Sequence, residues 1–179
     1  TGSIGKAYGY QLGVKSIYPE GEFDQVDRVL FDLKNNPSSR RILTNIYNFQ
    51  DLHEMHLYPC AYSMTFNVTG NKLNGILNQR SQDTLTANNW NVVQYAVLLH
   101  MFAQVSGLEV GEFVHVISDA HIYDRHVPIV EEILKNPQYP APTFKMNKDV
   151  KNFYDFTVDD FELVDYNYTK LDKKIEVAI

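Results

Sequence analysis

Two segments of alternating apolar and polar residues, 61–68 and 73–80, flank the polar sequence 69–72. Alternation with a period of two predicts an antiparallel hairpin with a turn at 69–72. In the first strand the larger apolar positions are Tyr62, Met64, Phe66 and Val68. The residues between them are smaller or more polar, so the hairpin is predicted to belong to a sheet whose two faces differ in polarity.

Helical periodicity predicts a helix over residues 24–35, with apolar positions at Val26, Val29, Leu30 and Leu33. Asp24 can cap this helix, and Pro37 ends it because proline disfavours helical geometry in the preceding residue. Residues 91–106 are apolar almost all round and stop at Gly107, which predicts a central, buried helix. We expect His100, inside that helix, to be a core histidine with a hydrogen-bond partner.

Shorter patterns predict the remaining secondary structure. We expect strands at 42–47, 112–118, 161–166 and 174–178, and helices at 51–55 and 126–135. This mixture predicts an α+β fold, in which helices pack on a large mixed β-sheet and one central helix is buried. A chain of 179 residues suits a single domain.

Composition and charge narrow the class of protein. Hydrophobic residues make up 44% of the chain and charged residues 21%, an ordinary globular composition. The net charge of −6 offers no overall basic field for nucleic acid or an anionic membrane. No apolar run approaches the ~20 residues of a membrane span, and no targeting leader is recognised. With a single cysteine, these features lead us to expect a cytoplasmic protein.

Cys60 follows Pro59 and is the one cysteine of the sequence, so it cannot form an internal disulfide. One interpretation is structural, because free cysteines are often buried as small hydrophobic residues. The other is chemical, since a nearby cation lowers the pKa of a thiol and makes it a nucleophile. Arg80 is a candidate for that cation. The histidines and Cys60 show no metal-ligand spacing, so we expect no metal.

Two arginine–hydroxyl combinations suggest an anion site. Arg40 and Arg41 follow a pair of serines, and Arg80 precedes Ser81. Such arginines can be solvated surface charges, but a guanidinium fork beside a hydroxyl also suits a phosphate. Neither segment is a glycine-rich phosphate loop, which favours a monophosphate over a nucleoside triphosphate.

Other polar residues could recognise the rest of a nucleotide. Asn91 begins the predicted buried helix, where its side chain can cap the helix or read one edge of a pyrimidine. Asp119, His121 and Tyr123 alternate along an extended segment, so they share one face. Both His121 and Tyr123 carry groups that can hold a sugar hydroxyl.

Taken in order, these motifs resemble the thymidylate synthase family. The similar segments are residues 2–11, 37–41, 59–60, 79–83, 91, 119–123 and 177–179. Residues 153–156 and those after them look most similar to the bacillus and phage branch. Family members carry a further N-terminal segment, so the resemblance implies a single catalytic domain over 1–179 that is truncated at its N-terminal end.

The resemblance implies a methyltransferase that converts deoxyuridylate (dUMP) to thymidylate (dTMP), with methylene-tetrahydrofolate as co-substrate and no metal. Cys60 would attack carbon 6 of the base and turn carbon 5 into a nucleophile. Arg80 would lie near the thiolate and the substrate phosphate. Tyr8 would assist removal of the carbon 5 proton through ordered water.

The resemblance also implies the remaining binding residues. Those for the substrate, besides Arg80, are Gln79, Ser81, Asn91, His121 and Tyr123. Those for the folate are Asp83, Trp90, Ala178 and Ile179. Asn91 would read the uracil edge, Asp83 would also have a catalytic role by orienting the pterin, and Ile179 would close over the folate. Arg40 and Arg41 would reach the phosphate in the neighbouring subunit, which implies a homodimer with shared active sites.

The chain departs from the family pattern at Ala61, Ala87, Asn89, Trp90 and Ser118. Ala87 replaces a usual glycine, which can adopt backbone angles that alanine disfavours. These departures leave open a deoxyuridylate hydroxymethylase of the same superfamily, in which water replaces the hydride, and a non-catalytic nucleotide-binding homologue. Asn91 favours uracil over cytosine, and the acidic charge argues against an RNA-binding homologue.

Overall fold

The computed structural model describes residues 2–176 of the chain. Its strands are β1 (Ser16–Tyr18), β2 (Gly21–Phe23), β3 (Leu43–Asn45), β4 (Ala61–Thr69), β5 (Lys72–Gln79), β6 (Gln82–Asp83), β7 (Glu109–Ile117), β8 (Ala120–His121), β9 (Thr143–Met146) and β10 (Phe161–Val164). Its α-helices are α1 (Gly9–Leu12), α2 (Gln25–Asn35), α3 (Asn88–Val105) and α4 (Val127–Ile133). Short 3₁₀ turns lie at Leu52–Glu54, Asp124–His126, Phe153–Asp155 and Val158–Asp160. These elements confirm the predicted α+β class.

A mixed sheet with the strand order β3–β4–β5–β7 organises the fold. Strands β4 and β5 form the predicted antiparallel hairpin, which turns at Gly70 with a φ of +64°. Strand β7 runs parallel to β5. Parallel neighbours need a crossover connection, and α3 provides it by packing across the sheet between them. The predicted sheet with helices packed on it is therefore confirmed.

One face of this sheet packs on α2 and α3 and forms the hydrophobic core. The buried side chains include Val29 and Leu33 of α2, Met64 and Phe66 of β4, Leu73 and Leu77 of β5, and Leu99 and Phe102 of α3. The rings of Phe66 and Phe102 meet edge to face, with centroids 5.3 Å apart. Each large apolar side chain buried here contributes about 1.5–3 kcal/mol. This packing fixes where β4 and β5 end.

The other face of the sheet is left open by the described part of the chain. The register aligns Leu43, Thr65, Ile76 and Val114 in one row across the four strands. Val116 lies in the next row, and Leu43, Val114 and Val116 are 47%, 45% and 46% exposed. The two faces differ in polarity, as predicted, yet the open face keeps a row of apolar positions.

Helix α3 begins earlier and is less buried than predicted. It starts at Asn88 and ends before Gly107, whose φ is +72°. One side, including Tyr95, packs on the sheet, while Val93 is 55% exposed. The predicted central helix is confirmed on the side that packs on the sheet, while residues 93 and 94 are exposed. The prediction for His100 is wrong, because that side chain is only half-buried and packs edge-on against Phe144, with ring centroids 4.9 Å apart.

The shorter elements agree with the sequence only in part. The helix that begins after Asp24 is confirmed with its cap, since the Asp24 carboxylate accepts from the Asp27 N–H at 2.8 Å. The strand predicted over 42–47 shrinks to β3. Strand β9, which pairs antiparallel with β10, was not predicted. Residues 174–176 form no strand, and the rest of that predicted strand lies outside the described residues.

Candidate active site

Cys60 lies immediately before β4, where the hairpin brings it beside the end of β5. The register pairs Ala61, the first residue of β4, with Gln79, the last residue of β5. The backbone N–H of Arg80 then donates to the Cys60 carbonyl at 2.9 Å. The hairpin thus brings together the two motifs that the sequence singled out, Pro59-Cys60 and residues 79–81.

The Arg80 side chain is held against the cysteine loop. Its Nε donates to the Pro59 carbonyl at 3.0 Å, and an Nη donates to the Tyr58 carbonyl at 3.1 Å. These bonds keep a permanent positive charge beside residue 60, because arginine stays protonated in proteins. The half-buried Cys60 thiol and a fixed cation therefore occupy one end of the hairpin.

Tyr8 approaches the same cysteine from the N-terminal segment. Its phenol oxygen accepts a hydrogen bond from the Cys60 backbone N–H at 3.2 Å. Tyr8 adopts a φ of +44°, an uncommon backbone conformation for a non-glycine residue and one that often marks a functional site. Burial raises the pKa of Tyr8, so its phenol keeps its proton at neutral pH.

Asn91 joins the site through the buried side chain of Gln79. The Gln79 amide nitrogen lies 3.3 Å from the Asn91 Oδ1, and Gln79 is only 1% exposed. Helix α3 begins at Asn88 with Ala87 in the capping position, so the alternative role of Asn91 as a helix cap is wrong. Ala87 itself has a φ of −123°, an ordinary value for alanine, so this departure from glycine causes no backbone strain.

Two residues of this network were missed by the sequence analysis. His115 Nε2 lies 2.9 Å from the Gln79 Oε1, and Gln82 accepts from the Gln79 amide nitrogen. The inward alternation of β7 was the available signal for His115, while Gln82 lies inside the motif 79–83. Neither pattern indicates a hydrogen bond to Gln79.

The Asp83 carboxylate closes the turn that leads into α3. It accepts from the backbone N–H of Leu85 at 3.1 Å, from that of Thr86 at 3.2 Å, and from the Thr86 hydroxyl at 2.5 Å. Burial acts to raise the pKa of Asp83, but the hydrogen bonds from Thr86 and Leu85 outweigh it and lower the pKa. The ionised carboxylate thus stabilises this turn, and its predicted role towards the folate stays a prediction.

Strand β8 brings the predicted sugar-binding residues to the same end of the sheet. The parallel pairing of β6 with β8 sets Asp83 opposite His121. The His121 Nδ1 lies 3.6 Å from an Asp119 carboxylate oxygen, and the His121 ring meets Tyr123 edge to face with centroids 5.0 Å apart. The three alternating residues 119, 121 and 123 therefore lie together, as expected.

Other predicted residues lie elsewhere. Arg40 and Arg41 are exposed and lie just before β3. The Ile42 carbonyl accepts from the Phe66 N–H, which extends the antiparallel pairing of β3 with β4. Arg41 therefore lies opposite Asn67 of β4. Asn67 is seven residues from Cys60 along β4, about 23 Å at ~3.3 Å per residue. Within one chain, these arginines do not join the Cys60 site.

The predicted folate-binding residues are placed only in part. The Trp90 indole is 79% exposed on the first turn of α3, next to Asn91. Ala178 and Ile179 lie outside the described residues. Within residues 2–176, no three or more His, Cys, Asp or Glu side chains are grouped as metal ligands. Over the same residues, no helix is long and apolar enough to cross a bilayer.

At one end of the sheet of this α+β fold, a cysteine therefore lies in a loop that holds a guanidinium, with an amide, an imidazole and a phenol on adjacent elements, an arrangement typical of a site for thiol chemistry. A family model described as thymidylate synthase matches residues 1–179. The chain belongs to the thymidylate synthase family, which confirms the resemblance drawn from its motifs.

Relatives from Bacillus agree with this assignment. The thymidylate synthase of Bacillus licheniformis is 49% identical over 168 residues, which cover 93% of this chain and 60% of that protein. Thymidylate synthase 1 of Bacillus subtilis strain 168 is 46% identical over 168 residues, with the same two coverages of 93% and 60%. The solved structure of thermostable thymidylate synthase A from Bacillus subtilis superposes on this chain with a TM-score of 0.90 at 44% sequence identity. The superposition covers 97% of this chain and 63% of the Bacillus subtilis chain. This chain therefore spans about three fifths of the length of these relatives.

Proposed function

We propose that this chain carries the active site of a thymidylate synthase, which methylates dUMP to dTMP with methylene-tetrahydrofolate as co-substrate. The observation that carries the proposal is the Cys60 loop, where Arg80 donates to two carbonyls and Tyr8 accepts from the cysteine backbone. A partly exposed thiol in a loop that also holds an arginine is suited to act as a nucleophile. Membership of the thymidylate synthase family and the similarity to the Bacillus thymidylate synthases support the same reaction.

In the proposed reaction the Cys60 thiolate forms a bond to carbon 6 of the uracil ring. The electron pair of the ring double bond then gives carbon 5 the character of an enolate, while the Arg80 guanidinium is held on the carbonyls of the same loop. Covalent catalysis of this kind divides one difficult substitution into easier steps. Carbon 5 would bond to the one-carbon unit supplied by the folate, and the carbon 5 proton would pass to water. Once a hydride from the folate has completed the methyl group and dihydrofolate has left, release of the Cys60 thiolate restores the ring double bond.

Tyr8 is suited to the proton step. Its phenol is protonated at neutral pH, since burial raises a pKa that already lies well above 7, and it accepts from the Cys60 backbone N–H at 3.2 Å. In that position it can orient a water molecule that accepts the carbon 5 proton. Asn91 and Gln79 read the base, and His121 with Tyr123 hold the deoxyribose hydroxyl.

The residues present fit a reduced folate. The uncovered indole of Trp90 offers an apolar surface for a planar ring, and the lowered pKa of Asp83 keeps an anionic acceptor available for ring N–H groups. When bound, methylene-tetrahydrofolate supplies both the methylene carbon and the hydride. Ala178 and Ile179 are proposed to cover it and to exclude bulk water.

A homodimer with shared sites is part of the proposal, and two observations support it. Arg40 and Arg41 are exposed about 23 Å along the sheet from Cys60, too far to bind the same phosphate within one chain. The open sheet face exposes Leu43 and Val114 in one row. If two such faces pack together, each copy can extend its arginines towards the partner's site. Two-fold symmetry makes this contact reciprocal, so both sites are completed in the same way.

Replacing the nucleophile tests the proposal. In the protein that carries this sequence at its natural length, Cys60→Ser should lower turnover of dUMP by orders of magnitude while the dissociation constant for dUMP stays within a few-fold. Thr69→Ser, at the exposed far end of β4, is the matched control and should retain turnover. Near-normal turnover of the Cys60→Ser enzyme would contradict covalent catalysis by this thiol.

A further inference from the structure

Three side-chain contacts tie the C-terminal segment, residues 165–176, to residues 126–139. The C-terminal segment forms neither helix nor strand, so these contacts are important for its position. Counted from its start, the contacts are Thr169 with Tyr139, Lys173 with Glu132, and Glu176 with His126. The two segments therefore run antiparallel, and the C-terminal segment is led back towards His126.

The contact with His126 differs from the other two in its burial. The side chains of Glu132 and Lys173 are 47% and 51% exposed, and ion pairs with that exposure contribute little to stability. The contact of Tyr139 is exposed as well. His126 is only 2% exposed, and its Nε2 lies 3.0 Å from the Glu176 carbonyl oxygen. The contact nearest to the end of the sequence is therefore the one that is shielded from water.

The imidazole of His126 has one hydrogen-bond partner in the described part of the chain. A carbonyl can only accept, so the His126 Nε2 carries a hydrogen and donates it to Glu176. The Nδ1 is buried too, and it has no partner among residues 2–176. Burial of a polar atom without a partner costs free energy, and an apolar side chain would fill this position without that cost. This arrangement indicates that the imidazole serves its bond to Glu176.

His126 is also fixed to the candidate active site. It ends the 3₁₀ turn that follows Tyr123, and its backbone N–H donates to the Tyr123 carbonyl at 2.8 Å. The rings of His126 and Tyr123 meet edge to face, with centroids 5.8 Å apart. His126 therefore joins the residue proposed to hold the deoxyribose to a carbonyl that lies three residues before Ile179.

We propose that His126 is a positioning residue that holds the Glu176 carbonyl beside Tyr123 and so keeps the last residues of the sequence within reach of the folate. The inference rests on the proposed function, in which Ala178 and Ile179 cover the folate. Three residues span at most about 10 Å, so a fixed Glu176 limits where Ile179 can lie. A segment that is already held near its place loses less conformational entropy when the folate binds.

Steady-state kinetics of the natural-length protein test the inference, with dUMP saturating and methylene-tetrahydrofolate varied. His126→Phe keeps a buried ring but removes the donor, and should raise the KM for the folate about 10-fold, the effect of one hydrogen bond of ordinary net strength. The kcat and the dissociation constant for dUMP should change little, because the loss falls on the binding of the folate.

Two further variants separate the hydrogen bond from the packing. His126→Gln restores an N–H of similar reach and should recover most of the KM for the folate. Glu132→Gln is the matched control, since it weakens an exposed contact of the same C-terminal segment, and it should leave this KM unchanged. A rise in KM that His126→Gln fails to recover, or that Glu132→Gln reproduces, would overturn the inference.

A nitrogen-15 NMR spectrum of the wild-type protein tests the hydrogen bond itself. The inference expects the Nε2–H tautomer of His126, and the Nδ1–H tautomer would overturn it even if His126→Phe fails to fold. A folded His126→Phe protein with an unchanged KM for the folate would overturn the inference and leave the proposed function intact. Wild-type protein that forms no dTMP would instead contradict the proposed function, so the two failures are distinguishable.

Discussion

Gly5 controls how the N-terminal segment reaches the active site, and replacing it with alanine should undock that segment. Gly5 has a φ of +75°, and an added Cβ would lie 1.9 Å from the Glu54 backbone oxygen. The left-handed conformation costs alanine about 1–2 kcal/mol. The collision would separate residues 4–6 from residues 54–56 of the same chain. Two backbone hydrogen bonds, both 3.2 Å long, join these segments: Lys6 N–H to the Glu54 carbonyl and His56 N–H to the Ile4 carbonyl. Each bond contributes about 0.5–1.5 kcal/mol, so Gly5→Ala should destabilise the protein by about 2–5 kcal/mol.

Equilibrium urea unfolding measures this loss, and two neighbouring glycines separate its causes. Gly2 has a φ of +71° but open space around it, so Gly2→Ala should cost the conformational part alone, about 1–2 kcal/mol at most. Gly9 has open space and an ordinary φ in α1, so Gly9→Ala should be neutral or stabilise by about 0.5–1 kcal/mol. Gly5→Ala should also speed alkylation of Cys60, because Tyr8 leaves the cysteine backbone. A Gly5→Ala loss no larger than that of Gly2→Ala would refute the steric reasoning.

Three other predictions concern the site. Asn91→Asp should admit dCMP, since a carboxyl can meet its exocyclic amine; an unchanged dUMP-to-dCMP ratio of kcat/KM would remove Asn91 from base recognition. Mixing inactive Arg41→Ala and Cys60→Ser chains should restore about a quarter of the sites under random two-fold pairing; no recovery despite exchange, shown with a tagged chain, would contradict the shared site. Asp83→Asn should destabilise by about 1 kcal/mol at pH 7. The folded-state pKa of Asp83 is lowered below 3.8, so the stability that the ionised carboxylate adds should be lost as the pH falls through that pKa. Urea unfolding of the wild-type and Asp83→Asn proteins should then give the same free energy of unfolding in acid. A difference between them that persists in acid would contradict the charge-based explanation.

The sequence predicted the parts of the fold that are encoded locally. The hairpin of β4 and β5 follows from period-two alternation around Gly70, and the helix after Asp24 follows from its cap and its apolar spacing. Burial of α3 was overestimated because an apolar surface does not reveal which element covers it. Strand β9 is short, and its pairing with β10 depends on residues distant in sequence.

The candidate site divides in the same way. Cys60 and Arg80 could be associated from sequence because the predicted hairpin closes the distance between them. The contribution of His115 could not, since it depends on the parallel pairing of β7 with β5 and on the orientation of one buried amide. The separation of Arg41 from Cys60 needed the register of β3 against β4, which no local pattern contains.

The identity of the product tests the proposed thymidylate synthase activity most directly. Natural-length protein is incubated with dUMP and methylene-tetrahydrofolate, and the nucleotide is analysed by mass spectrometry, with Cys60→Ser protein as the blank. The expected product is dTMP, formed together with dihydrofolate and absent from the Cys60→Ser reaction. A hydroxymethylated nucleotide would contradict the proposed hydride transfer, and unchanged dUMP with bound nucleotide would contradict catalysis altogether.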